Sequence, residues 1–263
     1  MSMSKLTIIY FSGTGNTEYV AKRFLPRLAY DNVDIVSIED DVDFKSVARD
    51  SDDIMLLYPI IGGNMPIIMR DFLMRNREIF WNKGLITIVT EAGFSGDGGS
   101  LAYRFLDDSR VIYKASAHII APTNVSFGKL IRIKNGDELK CRLAKMNTRI
   151  DKIASDINNN HCRKQGSSKL SYFLGYHLQR KYFDRLESDL RQKFAVDSEK
   201  CIRCKKCISL CPVDNIVLDN GKIVGLGKCT LCYRCLHSCP VNAISIIRHE
   251  DVQYRRIDGI RES

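Results

Sequence analysis

Eight of the ten cysteines fall in two runs, CIRCKKCISLCP from Cys201 and CTLCYRCLHSCP from Cys229. Both follow C-x2-C-x2-C-x3-C-P: Cys201, Cys204, Cys207 and Cys211 before Pro212, then Cys229, Cys232, Cys235 and Cys239 before Pro240. A disulfide scaffold spreads its cysteines through a small chain, whereas here the first 140 residues contain none. A structural zinc site needs two paired knuckles to close one tetrahedron, and two runs of four exceed that need. The spacing is that of two four-iron clusters. Between the runs, NIVLDNGKIVGLG places apolar residues on both sides of Asn220–Gly221, a hairpin signal. NAISII (242–247) supplies a matching strand-like tail. A module of about 60 residues has little core, so bound clusters would also serve as staples.

These residues resemble the bacterial two-cluster ferredoxins over about residues 197–248. The resemblance implies single-electron transfer and two cross-paired ligand sets. One set is Cys201, Cys204, Cys207 and Cys239; the other is Cys229, Cys232, Cys235 and Cys211. Such ferredoxins are often acidic, whereas this chain places Arg203, Lys205 and Lys206 in the first run. Cations near a cluster favour its reduced form. His237 lies between two of the cysteines and reads as a surface or supporting residue rather than a ligand.

The first 160 residues alternate short apolar runs with segments of helical spacing. KLTIIYF (5–11), VDIVSI (33–38), DIMLLY (53–58), LITIVT (85–90) and ASAHIIA (115–121) read as strands buried on both faces. TEYVAKRFLPRL, DFKSVARD, PIIMRDFLMRNREIFW, SLAYRFLDD and ELKCRLAKMNTRIDKIASDI read as the intervening helices. The alternation predicts a doubly wound parallel α/β domain. Its first loop, Ser12-Gly13-Thr14-Gly15-Asn16-Thr17, lacks both G-x-G-x-x-G and G-K-[ST]. It combines hydroxyls, an amide and backbone N–H groups at a helix N-terminus, a set suited to a phosphate dianion. Ordinary capping explains one or two such residues, not six in a row.

The S-x-T-G-N-T loop after a first strand resembles that of flavodoxins, and the likeness extends over residues 4–157. It implies a flavodoxin-like five-stranded sheet with FMN in the crevice at the strands' carboxyl ends. Tyr58, Pro59, Ile60, Ile61, Gly62, Gly63, Asn64 and Met65 then form the second FMN loop. Thr90, Glu91, Ala92, Gly93, Phe94 and Gly96 form the third. Ile61 stands where many relatives place an aromatic residue against the flavin, leaving Phe94, Tyr58 or aliphatic side chains as candidates for that contact.

The expected organisation is an FMN domain at 1–160, a basic, helical connector at 161–196, and a small α+β two-[4Fe-4S] domain at 197–263. The net charge of +9 is uneven. Residues 1–160 carry 21 basic against 20 acidic side chains, residues 161–200 carry 9 against 5, and residues 201–263 carry 10 against 6. Two oxidised clusters with their thiolates would offset about −4 of that excess. The remainder centres on the connector, whose LSYFLGYHLQRKYFDRLESDLRQKF (170–194) could lie on a membrane surface but is better read as packing on the domains. Arg163, Lys164, Lys169, Arg180, Lys181 and Arg185, with Lys205 and Lys206, are expected to dock an acidic redox protein. No stable membrane insertion and no nucleic-acid partner are expected. No run reaches the length of a membrane span and the start is unlike a signal peptide, which predicts a cytoplasmic protein. The combined reading is an electron carrier between FMN and two clusters. The alternative is a flavin-dependent iron–sulfur reductase of an organic substrate or NAD(P)H. Cys141 and Cys162 lie outside both runs and read as ordinary thiols.

Overall fold

The computed structural model describes residues 3–125 and 132–246. The tail from 247 to 263, including the last residue of NAISII, lies outside the described residues. Five strands, β1 (Lys5–Tyr10), β2 (Asn32–Ser37), β3 (Asp53–Pro59), β4 (Gly84–Glu91) and β5 (Ile112–Ile120), form one parallel sheet. Its order, β2-β1-β3-β4-β5, is the flavodoxin-like doubly wound arrangement. β4 is buried along its whole length and β3 along all but its last residue, while β2 is exposed at its start.

The period-two pleat divides the sheet's side chains between two cores. Leu6, Ile8, Met55 and Leu57 pack beneath α1 (Asn16–Phe24) and α5 (Gly136–Asn158). Ile9, Ile54, Leu56 and Val89 pack on the opposite face, beneath α3 (Ile67–Arg75) and α4 (Leu101–Leu106); α2 (Phe44–Ala48) lies on the same side. Two helices end earlier than their spacing predicts. Pro26 sits in a 3-10 turn after Phe24, where the helical hydrogen-bond ladder cannot continue. Asn76 stops α3 by donating its side-chain amide to the Phe72 carbonyl at 3.0 Å.

The polar stretch after α5 is tied along the sheet edge. Ser116 N–H donates to the Arg163 carbonyl (2.9 Å), and Gln165 N–H donates to the Ser116 carbonyl (3.0 Å). An edge strand offers unpaired backbone groups, and this stretch takes some of them. The connector is α6 (Lys169–Gly175), a π-helical turn (Tyr176–Arg180) and α7 (Lys181–Gln192). Its Arg180 is buried and forks onto Asp97, with Nη1 to Oδ1 at 2.9 Å and Nη2 to Oδ2 at 3.0 Å. The expected docking role of Arg180 is therefore incorrect, because its charge is already paired inside the protein. Arg70–Glu187 and Asn64–Asp184 tie α7 to the same domain.

The last module is small. β6 (Ala195–Val196) pairs antiparallel with β9 (Ile244–Ser245), and β7 (Ile216–Asp219) pairs with β8 (Lys222–Gly225). The β7–β8 turn is the expected Asn220–Gly221, both with positive φ (45° and 75°). Single short turns α8 (Lys206–Ser209) and α9 (Arg234–Ser238) follow the middle of each cysteine run. Its core is Ile216, Ile223, Leu231, Leu236, Ile244 and Ile246 together with Cys229 and Cys235. Among the described residues, no helix is long and apolar enough to cross a membrane.

Asp97→Ala leaves Arg180 buried without its carboxylate, and should cost about 3 kcal/mol or more. Arg104→Gln removes the more exposed partner of Asp97 and should cost clearly less. Urea denaturation of the cluster-loaded protein measures both; equal losses would show that the buried fork does not hold the connector.

Candidate functional site

The cysteines surround two hollows. Cys211, Cys229, Cys232 and Cys235 line one; Cys201, Cys204, Cys207 and Cys239 line the other. Each hollow takes three cysteines from one run and the last from the other. Among the described residues, no three His, Cys, Asp or Glu side chains are grouped as a single metal ion requires. The donor sets instead ring spaces suited to a larger thiolate-bound group.

The backbone explains this shape. Arg203 and Lys205 have φ near +60°, and Leu231 and Tyr233, at the same offsets in the second run, match them. Asp214 and Asn242, three residues beyond each last cysteine, repeat the pattern at 48° and 49°. Six non-glycine residues in a disfavoured region are kept there because the chain must curl its peptide groups around each hollow. The N–H of Asn215 donates to Cys211 Sγ at 3.2 Å, and the N–H of Ala243 donates to Cys239 Sγ at 3.3 Å. Leu231 N–H reaches Cys229 Sγ at 3.4 Å. Such bonds favour negative charge on sulfur.

Burial separates the runs. Cys229, Cys232 and Cys235 are buried, whereas Cys204 is exposed beside exposed Arg203, Lys205 and Lys206. Burial pushes the Cys232 thiol up to about 12 and raises Cys229 and Cys235 as well. These groups become thiolates readily only beside a cationic partner, the charge that iron bound there would supply. Cys141 is exposed on α5 and Cys162 is half-buried; neither lines a hollow.

Residues 12–17 follow β1 and lead into α1, whose start carries no side-chain cap and whose Gly15 is left-handed at φ 96°. Ser12, Thr14 and Thr17 are buried. Ser12 Oγ accepts from the Gly15 N–H (3.1 Å), and the Thr17 and Thr90 hydroxyls lie 2.8 Å apart. A helix start lacking a cap, beside three buried hydroxyls, fits an anion. Of the third loop, Ala92, Gly93 and Phe94 are exposed, and a Cβ on Gly93 would meet nothing within 4 Å. Glu91 is turned inward to Ser95 and to His118 Nδ1 (3.2 Å).

Two side chains of the second loop do not reach the crevice. Tyr58 is fully buried in the core; its hydroxyl donates to the Gly98 carbonyl (3.0 Å) and accepts from the Ala102 N–H (3.2 Å). Tyr58 is thereby removed as a flavin-stacking residue. Met65, 2% exposed, packs in the same core and is likewise corrected. Both face inward because β3 and the turn after it supply that core. Ile61 packs with Phe183 against the iron–sulfur module, while Phe94 remains 51% exposed.

The cysteine module sits on the glycine loop. Gly13 approaches Cys232 so closely that a Cβ would collide with the Cys232 carbonyl oxygen. Arg234 Nη2 donates to the Ser12 carbonyl (2.8 Å) and pairs with Glu39 (2.6 Å), and Nε donates to the Gly13 carbonyl (3.1 Å). His237 Nε2 lies 2.7 Å from the Asn124 carbonyl, and burial pushes its pKa down to about 4. Asn124 Nδ2 in turn donates to Thr14 Oγ1 at 3.0 Å. Sequence reasoning missed Arg234, Glu39 and Asn124. Arg234 occupies the position of Lys206 in the first run, and nothing local distinguishes the two.

A doubly wound sheet of flavodoxin-like strand order is thus joined to a small module with paired cysteine hollows, a flavodoxin-like domain followed by a ferredoxin-type domain. Residues 193–240 match the family model described as a 4Fe-4S dicluster domain. Ferredoxin-2 of Desulfomicrobium norvegicum is 55% identical over 29 residues, which are 11% of this chain and 49% of that relative. The chain thus spans about half the length of the curated relative it matches. Among solved structures, Fusobacterium nucleatum flavodoxin bound to flavin mononucleotide is 18% identical with a TM-score of 0.41, over 60% of this chain and 98% of its own. Megasphaera elsdenii flavodoxin is 21% identical with a TM-score of 0.38, over 55% and 98%. The flavodoxin-like fold itself rests on the strand order.

The pairing of the runs is testable with double variants. Cys211→Ala and Cys229→Ala should lower iron content to one common level, and combining them should lower it no further. Cys211→Ala with Cys201→Ala should strip both centres. If that pair retains as much iron as Cys211→Ala alone, each run holds its own cluster.

Proposed function

We propose that the chain passes electrons between FMN and two [4Fe-4S] clusters, linking two-electron to one-electron redox carriers. The carrying observation is the seat of the buried cysteine hollow directly on the glycine loop, through Gly13, Cys232 and Arg234. FMN supplies one- or two-electron chemistry, and each cluster supplies a single electron. Ser12, Gly13, Thr14, Gly15, Asn16 and Thr17 hold the phosphate, and the exposed segment of the third loop borders the ring. Cys229, Cys232, Cys235 and Cys211 hold the inner cluster; Cys201, Cys204, Cys207 and Cys239 hold the outer one. A reducing interior such as the cytoplasm suits eight thiolates.

The chain's part is placement and access. The inner hollow, buried between the glycine loop and the rest of the module, keeps its centre away from solvent. The outer hollow, with Cys204 exposed, is the face open to a second redox protein. Exposed Arg203, Lys205 and Lys206 surround it and suit an acidic partner. Arg163, Lys164, Lys169 and Arg185 are exposed as well and add to the basic charge available to such a partner.

Anaerobic reconstitution should give about eight iron and eight sulfide per chain together with one FMN. Bound zinc without acid-labile sulfide would remove the proposal. Lys205→Glu with Lys206→Glu should slow oxidation of the reduced protein by anionic ferricyanide several-fold at low salt. The same pair should speed oxidation by cationic hexaammineruthenium, with both effects shrinking as salt rises. Equal rates for the variant and the parent with both oxidants would place electron exit elsewhere.

A further inference from the structure

α9 is a single helical turn held beside both hollows: Cys232 and Cys235 line the inner one and Cys239 the outer one. Arg234 and His237, three residues apart, share one face of it. Both face the glycine loop, by separate routes. Arg234 donates to the carbonyls of Ser12 and Gly13 and also, from Nη1, to that of Leu210 (3.3 Å), the neighbour of Cys211. His237 meets the carbonyl of Asn124, whose amide donates to the Thr14 hydroxyl. One guanidinium therefore joins both cysteine runs to the loop, and a second path reaches the same loop two residues along.

The direction of these bonds matters. In a planar trans peptide the C=O and the following N–H point opposite ways. With the Ser12 and Gly13 carbonyls turned toward Arg234, the N–H groups of Gly13 and Thr14 are turned away from the iron–sulfur module. The Arg234 charge is paired with Glu39, so its effect on the loop is orientation more than net charge.

We propose that the second cysteine run sets the phosphate grip of the glycine loop through Arg234 and His237, making FMN binding depend on an assembled iron–sulfur module. The inference rests on the reading of residues 12–17 as the FMN phosphate site. Arg234 and His237 are positioning residues here; neither needs to touch the flavin.

Fluorescence-quenching titrations of the cluster-loaded protein with FMN and with riboflavin, which has the same ring without phosphate, test this. Arg234→Gln and, separately, Asn124→Ala should each weaken FMN binding on the order of tenfold and leave riboflavin binding unchanged. Arg234→Lys keeps the charge but loses the fork, so it should recover little. Removing the clusters from the parent protein by chelation should give the same phosphate-selective loss. Asn124 lies outside the iron–sulfur module, so its variant carries the test if Arg234→Gln fails to assemble clusters. Undiminished FMN affinity in the variants, equal losses for FMN and riboflavin, or no effect of chelation overturns the proposal. A cluster-loaded parent protein that binds neither flavin overturns the FMN reading and, with it, this inference; that result is distinct from failure in the variants alone.

Discussion

A thiol buried as Cys232 is does not ionise unaided, and the iron–sulfur module is built around that constraint. Burial raises three cysteines of the inner hollow, so its stable loaded form requires a cationic group inside. The apolar core around it is six aliphatic side chains, and its two ladders hold two and four residue pairs. A core of that size leaves little margin against chain entropy. Binding energy at the hollows is then folding energy, and the strained residues repeated in both runs persist because the bound group offsets their cost. Cross-pairing adds to this: each run contributes to both hollows, so neither half of the module folds to completion alone.

The rest of the molecule is organised to keep that module in one place. The connector is fastened at Asp97 by Arg180, and farther along by Arg70–Glu187 and Asn64–Asp184. Buried ion pairs of this kind are poor net contributors to stability because desolvation consumes most of the Coulomb energy. Their value is discrimination. A connector shifted by one turn would bury Arg180 or Asp97 unpaired, so the wrong docking is penalised far more than the right one is rewarded.

The strands were legible because continuous apolar runs betray burial on two faces, and the cysteine hollows because ligand spacing is local. The β7–β8 turn was legible from Asn220–Gly221, since few residue pairs accept two positive φ values in succession. Helix ends were less so: Pro26 withholds one backbone hydrogen bond and Asn76 makes one from its side chain, and helical periodicity registers neither. Tyr58 was misread because a residue at a strand's end has two faces to choose from, and only the packing above β3 and α4 decides. Arg180 sits in a basic stretch that reads as surface charge, and its buried partner Asp97 lies 83 residues earlier, beyond the reach of any local pattern. Arg234 contacts partners 221 and 222 residues away, and no local pattern marks such a meeting.

The join at the glycine loop shows why its contacts are polar. Apolar packing fixes distance but not the rotation of a peptide plane, whereas a hydrogen bond to a carbonyl fixes both. A loop that binds an anion through N–H groups needs the rotation held. Gly13, by lacking a Cβ, lets the Cys232 carbonyl set the separation, and Arg234 sets the orientation of two consecutive peptides. Partial burial of that guanidinium carries a desolvation cost, which Glu39 offsets at 2.6 Å. An alkyl side chain at 234 could fill the same volume without directing anything. The arrangement therefore joins two tasks in one helical turn: α9 presents Cys235 to the inner hollow, and its Arg234 orients two peptides of the loop across from it.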